Sequence, residues 1–145
     1  MKLLILNGPN LNMLGIREKH LYGAETYEDL KRYILEKARE LEIDAELYQS
    51  NHEGDLVDKI QSAYGEKDGI IINPAAYTHT SVAILDALKA VNLPAAEVHL
   101  TDITKREAFR QVSYAGMACQ AHFMGLGFAG YGKAMEWMKE QIESK

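Results

Sequence analysis

The sequence contains one cysteine, no apolar run as long as a membrane span and no excess of basic residues. A lone Cys119 excludes an intrachain disulfide and a cysteine-ligated zinc cluster, and its apolar neighbours predict an inert buried thiol. The net charge of −5 disfavours nucleic-acid binders, which present a basic face to phosphates. The short apolar run at residues 3–6 predicts a strand and not a signal peptide, so we expect a cytoplasmic protein that contacts no membrane.

Metal ligation is not expected either. The five histidines are not spaced as metal ligands, and no acidic cluster accompanies them. His122 lies in an apolar run and is predicted to be a core residue whose polar atoms are satisfied. His52 is predicted to lie in a surface turn without a functional role.

The chain of 145 residues is long enough for one domain with its own core, so residues 1–145 are expected to form a single domain. Apolar runs predict five strands, at residues 2–7, 43–49, 69–72, 95–100 and 117–124. Helical patterns lie between them and after the last, at residues 26–41, 56–63, 82–91 and 131–143, the first opening on a capping box at Thr26 and Asp29. This alternation predicts an α/β protein, a flavodoxin-like sandwich with a parallel sheet in the order 2-1-3-4-5 and helices on both faces.

In that order the loops after strands 1, 3 and 4 converge at one edge of the sheet, where open α/β sheets bind ligands. These loops carry a concentration of polar side chains: Asn10, Arg17, Tyr22, Asn73, His79, His99, Thr101, Arg106 and Arg110. The residues alone therefore predict metal-free acid–base chemistry on a small polar, anionic substrate.

The connection after strand 1, residues 7–23, is far longer than the usual two to six residues of such loops. Its length predicts a functional segment. We expect residues 7–12 to form a rigid floor of the site. We expect residues 15–23 to be a lid that brings Arg17 and Tyr22 over a ligand.

Two residue pairs suggest specific chemistry. Glu97 and His99 share one face of a strand by its period of two, and a carboxylate beside an imidazole suits a general acid. Arg17 in the same loop as Tyr22 would favour the phenolate form of a general base, although a packing role for this tyrosine stays open.

Two further patterns have competing interpretations. Arg106 and Arg110 have the spacing of one face of a helical turn and predict either an anion clamp or a solvated surface. Residues 125–130 spell the dinucleotide pattern G-x-G-x-x-G, but too little chain follows for the second half of such a site, so close strand–helix packing is expected. A flavodoxin would need a phosphate-binding loop after strand 1, and that loop is missing. A phospho-accepting receiver domain would have a carboxylate at the end of strand 1, where Asn7 stands. Both uses of this fold are therefore disfavoured.

Five segments together resemble the type II 3-dehydroquinate dehydratases along the whole chain. They read NGPNLNMLGIRE, QSNHEG, NPAAYTHTS, EVHLT and GLGFAGY, at residues 7–18, 49–54, 73–81, 97–101 and 125–131. The resemblance implies dehydration of 3-dehydroquinate to 3-dehydroshikimate without a metal or an organic cofactor. The alternative is a non-catalytic, flavodoxin-like module that binds small anions.

The resemblance also implies catalytic roles. Tyr22 matches the base that removes the proton next to the ketone to give an enolate, and Arg17 matches the arginine that activates it. Asn10 matches the residue that positions a water to stabilise the enolate. His99 matches the acid that protonates the departing hydroxyl, with Glu97 as its partner.

For substrate binding, the resemblance implies a carboxylate site at Asn73, at the backbone around Leu100 and at the hydroxyl of Thr101. His79 and Arg110 match contacts to the ring hydroxyls.

The remaining implications concern the periphery. Arg106 matches an arginine near the site, and Asp86 matches an aspartate that reaches the site of a neighbouring subunit. The family assembles as dodecamers built from trimers, so a homododecamer is implied. Asp102 departs from the family pattern and is expected to weaken binding of an anionic substrate unless a cation offsets its charge.

Overall fold

The computed structural model describes residues 1–16 and 25–144. Five parallel strands form one sheet in the order β2-β1-β3-β4-β5, which confirms the predicted flavodoxin-like topology. The strands are β1 Lys2–Asn7, β2 Asp44–Gln49, β3 Gly69–Asn73, β4 Ala95–His99 and β5 Ala121–Met124. The helices are α1 Tyr27–Glu40, α2 Glu53–Ser62, α3 Val82–Val91 and α4 Ala129–Glu143. None of the helices within the described ranges is long and apolar enough to cross a membrane.

The alternation of side chains along β1 divides the core into two layers. Leu3 and Ile5 pack with residues of α1 and α4, whereas Leu4 and Leu6 pack with residues of α2 and α3. All four side chains are fully buried. This explains the continuous apolar run, because a central parallel strand is covered on both faces.

The first helix begins where its sequence predicts. The Asp29 amide donates to the Thr26 hydroxyl at 3.2 Å, and the Thr26 amide donates to the Asp29 carboxylate at 2.9 Å. This reciprocal capping box satisfies two amides that have no partner within the helix.

One predicted strand boundary is wrong. Strand β5 begins at Ala121 and not at residue 117, because Ala115–Ala118 forms a 3-10 turn. Gly116 in that turn lies so close to Glu97 that an added Cβ would come within 2.6 Å of Oε1. Val82 is one of the apolar residues of the helical pattern predicted at residues 82–91, but it is 49% exposed and lies outside the core.

The polar loops fold as short turns, Ala75–His79, Ile103–Lys105 and Ala108–Arg110. The prediction that Arg106 and Arg110 share a helical turn is wrong. Arg106 ends one turn in an extended conformation, and Glu107, also non-helical, precedes the next.

Candidate active site

The described residues form a cleft of about 620 Å³ at the carboxyl ends of β1, β3 and β4. This is the edge at which the sequence predicts a site. The residues with chemistry that line the cleft are Asn10, Asn73, His79, His99, Thr101, Arg106 and Arg110, with Leu100 beside them. A cleft with apolar walls and a few convergent polar groups suits a small molecule.

The first part of the long loop is fixed to the strands beneath it. The Gly8 amide donates to the Asn73 carbonyl at 2.8 Å, and the Gln49 side-chain amide donates to the Gly8 carbonyl at 3.1 Å. Asn51 accepts the Asn10 amide at 3.0 Å. Gly8 leaves no room for a side chain, since an added Cβ would meet the Pro74 carbonyl oxygen at 2.3 Å. These contacts agree with the expected rigid floor.

Asn73 is buried and its amide is oriented at both ends. Its Oδ1 accepts the Ala75 amide at 3.1 Å, and its Nδ2 donates to the Tyr131 hydroxyl at 3.1 Å. Among the residues that the structure describes, one hydrogen of Nδ2 has no partner and is available for a bound molecule. Ala75 holds a left-handed conformation (φ 53°), which costs energy for a residue with a Cβ and is found mostly where the surrounding structure enforces it.

Glu97 and His99 form the pair that the strand period predicts. His99 Nε2 donates to Glu97 Oε2 at 2.9 Å, so Nδ1 is the ring nitrogen available to a ligand. The Glu97 side chain is 1% exposed. Its burial would raise its pKa, but the hydrogen bonds and charge of its partners, His99 first, outweigh this and lower the pKa to about 2. The carboxylate is therefore ionised at neutral pH.

Sequence reasoning missed two further partners of Glu97. The Ser113 hydroxyl donates to Oε2, and His122 Nδ1 donates to Oε1 at 2.6 Å. The prediction of His122 as a core residue is wrong, because its side chain is 44% exposed. The signal for this contact is the register of β4 and β5, which pairs Glu97 with His122.

His79 is held as a neutral acceptor. Its Nδ1 lies 2.8 Å from the Val112 carbonyl, which fixes the proton on that nitrogen and leaves a lone pair on Nε2. Burial lowers its pKa, and the positive charges of His99, Arg110 and Arg106 lower it further against the opposing hydrogen bond to Val112. A neutral imidazole of this kind can accept a hydrogen bond from a hydroxyl group.

The outer wall of the cleft is cationic. Arg106 Nη1 donates to the Thr101 hydroxyl at 3.4 Å, and Arg110 Nε donates to Glu107 at 3.0 Å. Two guanidinium groups beside a small cleft favour an anionic ligand.

The neighbouring Asp102 carboxylate is engaged elsewhere. It accepts the amide of Thr104 at 3.0 Å and the hydroxyl of the same residue at 2.6 Å. These hydrogen bonds lower its pKa, and the side chain is absent from the cleft lining.

Of the predicted site residues that the structure describes, Glu97 and Asp86 are not part of the cleft lining. Asp86 is exposed on α3, away from the cleft lining. Tyr22 and Arg17, with most of the expected lid, lie outside the described residues. Among those that are described, no group of three or more potential ligands is placed to hold a metal ion.

Two other predictions can be assessed. Cys119 agrees with an inert thiol, since burial and the charge of Glu97 raise its pKa to about 12. In the glycine-rich segment, an added Cβ at Gly130 would lie 3.2 Å from Val98, as close packing requires.

The fold and the cleft define a doubly wound α/β protein whose sheet edge carries a buried carboxylate–imidazole pair facing a cationic pocket. Comparison with known proteins identifies the family. The model of the family "Dehydroquinase class II" matches residues 1–139. The 3-dehydroquinate dehydratase of Caldicellulosiruptor bescii is 52% identical over 143 residues, 98% of this chain and 99% of that protein.

Two crystal structures agree. The type II dehydroquinase of Butyrivibrio crossotus gives a TM-score of 0.93 at 49% identity, over 95% of this chain and 97% of the other. That of Propionibacterium acnes gives 0.92 at 39% identity, over 96% of both. The chain belongs to the class II dehydroquinase family and is a hydro-lyase.

Proposed function

We propose that the chain dehydrates 3-dehydroquinate to 3-dehydroshikimate through an enolate, with no metal or organic cofactor, as one catalytic domain over residues 1–145. The observation that carries the proposal is the His99–Glu97 pair facing a cationic cleft in a member of this family. The enzymes it resembles are named for this reaction.

The reaction divides into two proton transfers. The Tyr22 phenolate, favoured by Arg17, takes the proton next to the ketone, and the electron pair becomes an enolate. A water held by Asn10 stabilises the enolate oxygen. The enolate then expels the hydroxyl group, which leaves as water with the proton from His99. One proton has left the substrate and one has been supplied, so charge balances.

The Glu97 carboxylate supports the second transfer. Its negative charge, 2.9 Å from His99 Nε2, stabilises the imidazolium form and fixes the ring so that Nδ1 points to the cleft. We assign Nδ1 as the donor to the leaving group. Because Glu97 is buried, this charge is weakly screened by water.

Substrate recognition uses the rest of the cleft. We assign the substrate carboxylate to Asn73, the Leu100 backbone and the Thr101 hydroxyl. We assign the ring hydroxyls to His79 and Arg110. The free Nδ2 hydrogen of Asn73 and the neutral His79 support these assignments, since one must donate and the other accept.

The decisive experiment is an absorbance assay for the conjugated enone product, with purified protein, 3-dehydroquinate and excess chelator. We expect product to form with the chelator present. If the protein binds 3-dehydroquinate without turnover, it is a small-anion-binding module, and the proposed activity is wrong. Loss of activity on chelation would overturn the metal-free mechanism.

Two variants test the acid and the base. His99→Asn and Tyr22→Phe should each lower kcat by two orders of magnitude or more, as for other general acid–base groups. The matched control is His52→Asn at the start of α2, which should leave kcat unchanged. Near-normal turnover of either site variant would remove that residue from its assigned role.

We also propose that the chain assembles in the cytoplasm as a homododecamer built from trimers, with Asp86 reaching the site of a neighbouring subunit. Its exposure on α3 supports this role. Solution mass tests the assembly, and a monomer with full activity would overturn the role of Asp86.

A further inference from the structure

Glu97 binds two imidazoles, one on each carboxylate oxygen. His99 occupies Oε2 at 2.9 Å from the side of the cleft. His122, on the neighbouring strand β5, occupies Oε1 at 2.6 Å. The His122 side chain is 44% exposed and that of His99 only 6%. The buried carboxylate therefore connects an imidazole of the site with one that is partly exposed to solvent.

Within the described ranges, the other neighbours of Glu97 carry no charge at neutral pH. The Ser113 hydroxyl donates to the carboxylate, and the Cys119 thiol lies near it with a raised pKa. Gly116 packs against Oε1 without room for a side chain. Facing His99 from the cleft side are His79, kept neutral by burial, and the guanidinium groups of two arginines, Arg106 and Arg110.

We propose that His122 is a positioning residue for the acid of this site. Its protonation state sets how much of the negative charge of Glu97 is available to stabilise the His99 imidazolium. Neutral His122 gives Glu97 a hydrogen bond, whereas protonated His122 adds a full positive charge to the same carboxylate. The inference deepens the proposed function, because it rests on His99 as the acid.

The consequence is a coupled titration. Two imidazoles on one carboxylate do not take up protons independently, because the first cation disfavours the second. Like charges within one hydrogen-bonded cluster change each other's proton affinity by roughly tenfold or more. We expect protonation of His122 to weaken the hold of Glu97 on the His99 proton, and so to change the activity with pH.

Two variants separate charge from contact. His122→Gln keeps an N–H donor within reach of Glu97 but cannot become charged. His122→Lys places a lasting positive charge near Oε1. Since this side chain is close to half exposed, both substitutions are compatible with the fold. The control is His52→Gln, an exposed histidine at the start of α2.

The measurement is the ring-nitrogen NMR titration of His99 in the full chain, together with kcat/KM against pH. We expect His99 to titrate in two steps in the unmodified chain. In His122→Gln we expect a single step with a proton affinity about tenfold higher, and in His122→Lys a lower affinity. The limb of the pH profile that reports the acid should move in the same directions, and His52→Gln should move neither.

An unchanged His99 titration in both His122 variants would overturn the proposal. So would a uniform loss of kcat at every pH with that titration unchanged, since it would mark a purely structural contact. The NMR titration needs no substrate. If the chain failed to dehydrate 3-dehydroquinate, coupling between the histidines would still be observed or refuted, and only its link to catalysis would fall.

Discussion

The hydroxyl of Tyr131 links Asn7, at the end of β1, to Asn73, at the end of β3. It donates to Asn7 Oδ1 at 2.5 Å and accepts from Asn73 Nδ2 at 3.1 Å. Tyr131 is fully buried, and burial raises the pKa of its phenol, so the group stays a neutral donor. A residue of the last helix thereby sets the orientation of a side chain assigned to the substrate carboxylate.

Tyr131→Phe removes this oxygen and little else. It leaves polar atoms of Asn7 and Asn73 buried and unpaired, which costs about 1–3 kcal/mol of unfolding free energy. Because Asn73 is assigned to binding, KM should rise more than kcat falls. Urea unfolding and steady-state kinetics measure the two effects.

The control for Tyr131→Phe is Tyr64→Phe. The Tyr64 side chain is 70% exposed, so this substitution should change neither stability nor KM. An unaltered KM in Tyr131→Phe would show that Asn73 keeps its orientation without the hydroxyl.

The lowered pKa of Glu97 predicts a pH dependence of stability. The pKa falls from 4.5 to about 2 on folding, so the stabilising contribution is complete above about pH 5 and is lost as pH falls towards 2. The size is up to about 3 kcal/mol. Urea unfolding at about pH 6 and about pH 3 should show this loss.

Glu97→Gln tests whether this pH dependence comes from the Glu97 carboxylate. The variant should have a lower free energy of unfolding than the unmodified chain at about pH 6. This difference in unfolding free energy should be smaller by about 2 kcal/mol at about pH 3. The hydrogen bonds between Asp29 and Thr26 also depend on an ionised carboxylate. They are present in both proteins, so their pH dependence cancels in the comparison. A difference that stays constant with pH would assign the stability to packing around Glu97 instead of its charge.

His79→Ala tests the neutral acceptor. Loss of one hydrogen bond to a substrate hydroxyl costs about 1–2 kcal/mol, so KM should rise roughly tenfold with a smaller change in kcat.

The same histidine also predicts a pH dependence of stability. Burial lowers the pKa of His79, so the folded chain takes up this proton less readily than the unfolded chain. The free energy of unfolding should therefore fall as pH falls through 6.5.

The control for His79→Ala is His52→Ala, which should keep KM unchanged. A KM that stays the same in His79→Ala would remove His79 from the binding site. Substrate binding that tightens when His79 is protonated would show that it donates to the substrate and does not accept.

Local patterns were sufficient to predict much of the fold and one functional pair. The continuous apolar runs of β1 and β3 belong to central strands buried on both faces, and the period of a strand places Glu97 beside His99. These predictions need only the geometry of a single element.

What could not be predicted depends on relations between elements. The contact of His122 with Glu97 requires the register of β4 against β5, which no local pattern contains. Tyr131 has the spacing of an apolar helix face, so its hydroxyl gave no separate signal. The spacing of Arg106 and Arg110 suggested a helix, but the extended Arg106 and the non-helical Glu107 interrupt it.

Asp102→Asn tests whether the carboxylate at position 102, where this chain departs from the family pattern, affects substrate binding. The Asp102 carboxylate is bonded to the amide and hydroxyl of Thr104, and Lys105 lies near enough to lower its pKa. Asparagine keeps an acceptor for the Thr104 amide. We therefore expect KM for 3-dehydroquinate to change less than about twofold at low and high salt, because an exposed charge engaged in a turn is well screened. A KM that falls severalfold at low salt would show that the charge of Asp102 does reach the substrate carboxylate.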